Sequence, residues 1–218
     1  MVYKEIISLF YENRNDSEAE KMAAYMKNKF PFLGIKKPQR AALQEQFIKQ
    51  SKKKKEVDWD LIFKLWDLPE REFQYLAVDM LVALRNKLSK KEIVQIEKLI
   101  TEKSWWDTVD LLASKLIGYI LQKYPEGKKE IILRWSKSDN IWLSRTAILF
   151  QLRYKDKTDL ELLSQVIFDN INSDEFFINK AIGWALREYS KTDKCWVKNF
   201  ISQNKLSPLS VKEGSKYL

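Results

Sequence analysis

Four alanines set the scale of this chain. Ala77, Ala113, Ala147 and Ala181 stand 36, 34 and 34 residues apart, each within an apolar stripe: QYLAVDML, DLLASKLI, SRTAILFQ and NKAIGWAL. Upstream of each lies a helix-start signal at a similar interval: Asp67 with Pro69 and Glu70, Ser104 with Asp107, Asp139, and Ser173 with Asp174. A unit of about 35 residues holds two antiparallel helices, and stacking neighbours buries the face that one unit leaves open. The expected fold is therefore all-α, an α-solenoid of stacked antiparallel helix pairs. The length matches the tetratricopeptide period, but that motif's Trp-Leu-Gly-Tyr pattern is absent, and a shortened HEAT-like repeat fits better. The alanines themselves read as small residues where helices approach closely.

Composition agrees with long helices. Gly and Pro number only 5 each in 218 residues, too little punctuation for a fold of strands and turns. FYENRNDSEAEKMAAYMKNKF is rich in good helix formers, and FPFLGIKKPQR then breaks the pattern with Pro31, Gly34 and Pro38, a loop and a new helix start. From there helices with short connections run to the C-terminus, and one domain over 1–218 is expected.

The residue inventory removes whole classes of chemistry. With no histidine, serine–histidine and cysteine–histidine catalysis and histidine metal sites are excluded. One cysteine, Cys195, excludes disulfides within the chain and multi-cysteine zinc or iron–sulfur sites, and no metal or cofactor is expected. Carboxylate, lysine, tyrosine or hydroxyl chemistry remains, or none. The opening MVYKEIISLFYENRND is not a secretory signal, and the most apolar stretch, LLASKLIGYIL, carries Lys115 and is too short to span a bilayer. A soluble cytoplasmic protein, away from membranes and monomeric, is the expectation. Thirty-nine Lys and Arg against 30 Asp and Glu give +9, a charge that attracts polyanions, nucleic acid foremost.

The alanine ruler shows where the repeats break their own pattern. Three residues before it stand Gln74, Asp110, Ser144 and Ile178; two before, Tyr75, Leu111, Arg145 and Asn179; three after, Met80, Leu116, Phe150 and Trp184. Asp110, Arg145 and Trp184 are the odd members of their columns. In SWWDTVD, Ser104 and Asp107 form an S-x-x-D capping pattern, so Asp107 has a structural duty and Asp110 has none. Trp106 and Asp110, spaced i,i+4, share one helix face, while Trp105 points elsewhere and reads as core. Spacing alone leaves this pair either a carboxylate site or an accident of packing.

SWWDTVDLLASKLIG, WLSRTAILFQLRYK and KAIGWALREYSKTD resemble the core motifs of the AlkD-type DNA alkylation-repair glycosylases. GIKKPQR and the ending LSPLSVKEGSKYL resemble that family's corresponding segments, so the similarity covers nearly the whole chain. The resemblance implies HEAT-like repeats curved around a basic concave face that binds duplex DNA, and removal of N3- and N7-alkylated purines by cleavage of the N-glycosidic bond. It implies that Asp110 is the catalytic aspartate, that Trp106 and Trp184 flank the lesion's sugar, and that Arg145 contacts the DNA backbone. Arg187, one turn beyond Trp184, is expected as a further basic contact. Lys36 and Lys37 replace residues that are uncharged and polar in some members, so DNA contacts in this loop are expected to differ.

The chemistry is coherent without histidine. An N3- or N7-alkylated purine is already cationic and leaves without a general acid, while the sugar gains oxocarbenium character that one fixed carboxylate can stabilise. Indole faces add cation–π attraction of about 0.5–2 kcal/mol each. Two other readings stand beside this one: a noncatalytic HEAT-repeat protein that binds damaged or branched DNA, and a peptide-binding scaffold with an acidic partner. The run Lys52 to Lys55 reads as solvated surface, Trp59, Trp66, Trp135, Trp142 and Trp196 as packing, and Cys195 has no assigned role.

Overall fold

The computed structural model describes residues 3–218, and among these there is no strand. The helices gather into two compact units, Met1–Leu88 and Ser89–Leu218. The first holds α1 (Tyr3–Glu12), α2 (Asp16–Tyr25), α3 (Lys37–Lys53), α4 (Trp59–Asp67) and α5 (Arg71–Ala83). The second holds α6 (Ile93–Thr101), α7 (Trp106–Leu111), a π-helical segment Leu112–Ile117 running into α8 (Gly118–Lys123), α9 (Lys128–Ser136), α10 (Ile141–Leu149), α11 (Leu160–Asn170), α12 (Phe176–Tyr189), α13 (Lys194–Gln203) and α14 (Pro208–Gly214).

The repeat is real. The pairs α4/α5, α6/α7–α8, α9/α10 and α11/α12 carry the four alanines on their second members, and all four alanines are fully buried. Short polar side chains start many of the helices: Asn15, Asp58, Asn140, Asp159, Asp193 and Ser207 each accept a backbone N–H of the first turn.

Several starts differ from the sequence expectation. The S-x-x-D pattern does not cap α7: the Ser104 hydroxyl donates back to the Ile100 carbonyl at 2.6 Å, and Trp105 occupies the cap position. Asp107 instead accepts the Thr108 N–H. Asn140 takes the role expected of Asp139. Where two capping residues adjoin, the one whose oxygen reaches the free N–H groups wins, and its neighbour stays in the turn.

In the first unit the GIKKPQR loop is held from beneath. Glu72 is fully buried, and its carboxylate accepts three backbone N–H groups, from Leu33 (3.0 Å), Gly34 (2.9 Å) and Ile35 (3.1 Å). Burial pushes this carboxyl above its ordinary value, and the backbone donors oppose that shift. Gly34 has φ +84°, and a Cβ there would stand 2.1 Å from the Asn15 carbonyl oxygen, so the turn needs glycine. Glu72→Gln leaves an amide facing at least one of those donors, at about 1–3 kcal/mol for each group stranded. Thermal unfolding should show a midpoint several degrees lower; an unchanged midpoint would mean the loop does not depend on this carboxylate.

Candidate active site

In the second unit, three repeats meet around one ion pair. The position three residues before the ruler alanine has a structural duty in two other repeats. Gln74 donates its amide to the carbonyls of Trp66 (2.9 Å) and Leu68 (2.7 Å) at the end of α4. Ser144 donates to Trp135 (3.2 Å) and Ser138 (3.0 Å) at the end of α9. Each ties its helix to the end of its partner. Asp110 occupies the same position and cannot donate, and Ser104 makes the equivalent tie to α6. The carboxylate turns instead to the next repeat.

There it meets Arg145. Nε donates to Asp110 Oδ1 at 2.7 Å and Nη2 to Oδ2 at 2.9 Å, a two-bond fork that fixes both oxygens. Nη1 donates to the Phe177 carbonyl in the first turn of α12, so every nitrogen of the guanidinium is engaged. Arg145 is only 3% exposed and Asp110 9%. Burial pushes the Asp110 carboxyl above its ordinary value, Asp107 adds to that, and the two bonds and positive charge of Arg145 pull it back.

An aromatic wall seats the arginine. Trp105, Trp142 and Phe177, one from each of three successive repeats, stand with ring centroids 5.6, 5.0 and 5.1 Å apart, and the Arg145 guanidinium lies 5.9 Å from the Phe177 ring. The expectation that Trp105 and Trp142 serve packing holds, with the addition that what they pack is the support of the ion pair. Phe177, which supplies both ring and carbonyl, carries no signal in sequence.

The remaining expected site residues lie as follows. Trp106 opens α7, half-buried, one turn ahead of Asp110 on the same helix. Trp184, half-buried on α12 two turns after Phe177, lines a groove of about 560 Å³ with Ile148, Gln151, Arg153, Lys155 and Tyr189. Arg187 donates to Glu213 at 2.9 Å. Glu213 also accepts from Lys180 (2.7 Å) and Lys216 (2.8 Å), and these two lysines hold its carboxyl down to about 2. The four side chains join α12 to α14 and leave two positive charges in excess. Lys36 and Lys37 are exposed in the first unit, where Lys36 pairs with Glu18 at 2.7 Å. Among the described residues no group of three or more Cys, Asp or Glu side chains stands ready to hold a metal ion, and no helix is long and apolar enough to cross a membrane.

A family model described as DNA alkylation repair enzyme matches residues 6–218. The chain belongs to the DNA alkylation repair enzyme family. Among solved structures it is similar to a "Predicted DNA alkylation repair enzyme from Enterococcus faecalis", with 38% identity, a TM-score of 0.88, and coverage of 94% of this chain and 97% of that one. Two Streptococcus mutans structures share the fold. One is smu.31 from strain UA159, at 21% identity and TM-score 0.59, covering 82% of this chain and 97% of the other. The second is AlkD2, at 18% and 0.58, covering 80% and 99%. No match was found among curated proteins. Membership accounts for the +9 charge of this repair-family chain, because alkylation repair brings DNA as the partner.

Proposed function

We propose that this member of the DNA alkylation repair family is a monofunctional DNA glycosylase. It hydrolyses the N-glycosidic bond of cationic N3- and N7-alkylated purines in duplex DNA. The observation that carries this reading is the buried, doubly bonded Asp110 carboxylate, since binding a polyanion gains nothing from such a group.

The lesion's positive charge lies on the purine, so the bond breaks with its electron pair passing to the base, which departs neutral. The sugar is left with oxocarbenium character, and Asp110 stabilises that charge and orients a water for attack at the anomeric carbon. The water's oxygen forms the new bond, and one proton is released for each base. Trp106 and Trp184 present ring faces to the cationic sugar. Arg145 acts through Asp110: its fork fixes the direction of both oxygens before DNA arrives. Arg187, Lys36 and Lys37 contribute phosphate contacts.

The mechanism limits the substrate. Purified protein incubated with duplex DNA should release N7-methylguanine and N3-methyladenine as free bases and leave abasic sites. A duplex containing uracil should yield no uracil, because nothing in the site protonates a neutral leaving base. Efficient uracil release would overturn the mechanism. Tight, salt-sensitive DNA binding without release of either alkylpurine would establish the noncatalytic reading in its place.

A further inference from the structure

The helix that carries Asp110 changes its winding immediately after it. From Leu112 to Ile117 the turn is π-helical, and the Gly118 N–H reaches the Ala113 carbonyl five residues back. Such turns are rare, are poorly favoured on their own, and persist where surrounding contacts hold them. Here two side-chain hydroxyls bracket the segment. Ser114 donates to the Asp110 carbonyl at 2.7 Å, and Tyr154 donates to the Gly118 carbonyl at 2.6 Å.

Tyr154 is built for that one bond. Its ring is buried and meets Phe150 edge-on at 5.8 Å. Burial pushes its phenol far above the ordinary range, so it remains a donor at any working pH. Beside it the helices touch: a Cβ on Gly118 would stand 2.2 Å from the Phe150 carbonyl oxygen.

The segment containing α10 and its exit therefore grips the Asp110 helix at two points. Arg145 holds the carboxylate, and Phe150 with Tyr154 holds the backbone eight residues later. In an unbroken α-helix, positions eight apart point roughly 80° away from each other. The wider turn lowers the rotation per residue and brings Gly118 round toward the side that Asp110 occupies. The first grip thus comes from α10 and the second from the residues that follow it.

We propose that Tyr154 is a positioning residue for base release, acting through the π-helical turn to hold Asp110 in register with Arg145. This rests on the glycosylase reading for its kinetic consequence and on geometry alone for its structural one. The test is Tyr154→Phe, which keeps the ring and removes the donor. Single-turnover release of N7-methylguanine should fall on the order of tenfold with DNA affinity unchanged. In the free protein, the Asp110 carboxyl, followed by carbon NMR with labelled aspartate, should titrate at higher pH as Arg145 loosens and the neighbouring Asp107 charge is less opposed.

Ser114→Ala, which removes the other hydroxyl, should move both readouts in the same direction and serves if Tyr154→Phe does not fold. Ser136→Ala removes a buried hydroxyl that bonds Asp169 away from this helix, and should move neither. An unchanged rate per bound complex together with an unchanged Asp110 titration in Tyr154→Phe overturns the proposal. If the native protein releases no base, the glycosylase reading fails, and the titration still decides whether Tyr154 sets the position of Asp110.

Discussion

Asp110→Asn should slow release of N7-methylguanine by about 10²–10³-fold, the usual cost of removing one fixed electrostatic group from a reacting centre. The substitution is nearly isosteric, so shape is kept and charge is lost. The amide nitrogen cannot accept from Arg145, and a guanidinium with 3% exposure loses half of its fork and all of its counter-charge. Removing one partner of a buried pair costs about 3–5 kcal/mol. The measurement must therefore pair single-turnover rates with thermal unfolding and DNA affinity. Affinity that holds or rises while the rate collapses places the chemistry at this carboxylate. An equal rate in both proteins keeps the function and removes Asp110 from it.

Arg145→Gln separates two roles for the arginine. A residue that contacts a phosphate contributes about 0.9 to the slope of log affinity against log salt, and its loss flattens that slope by the same amount. Arg145 has every guanidinium nitrogen committed within the protein, so the slope should not change. Stability should fall by about 3–5 kcal/mol, a midpoint shift on the order of 10 °C, because the Asp110 charge is left buried and unpaired.

The pH dependence follows the sign of that change. In the proposed mechanism release requires ionised Asp110, whose carboxyl burial already holds above its ordinary value, so activity should be lost as pH falls through that raised value. Without Arg145 the acid limb of the rate profile moves to still higher pH. The stability deficit runs the opposite way and shrinks as pH falls, since protonating Asp110 removes the stranded charge. A flattened salt slope with an unmoved acid limb would return Arg145 to the DNA backbone.

Asp110 and Arg145 stand out in the sequence as misfits of their repeat columns, with no sign there that they are partners. They stand three and two residues before their alanines, and only the packing of neighbouring helices turns those two positions toward each other. The resemblance marked Arg145 as a DNA contact, while the structure spends its guanidinium on Asp110 and Phe177. The π-helical turn had no signal at all: LASKLI reads as ordinary apolar helix, and the Tyr154 hydroxyl that meets the Gly118 carbonyl at its end is remote in sequence. The misplaced start at Asp139 arose where two capping residues adjoin, and Ser104 was drawn back to the Ile100 carbonyl of the preceding helix. Helical class, repeat length and buried alanines were legible because periodic burial imposes them directly.

Glu72 shows why counting charges is a poor guide to how such a protein holds DNA. It is one of the acids that dilute the basic total, and an electrostatic ledger would score it against binding. Yet its carboxylate hooks the backbone of Leu33, Gly34 and Ile35 immediately before Lys36 and Lys37. The chain leading to those lysines is ordered when the protein folds, and a polyanion arriving later does not have to immobilise it. With Lys36 and Lys37 as the proposed phosphate contacts, a buried negative charge would thus work in favour of a negatively charged partner, through entropy lost early rather than through attraction.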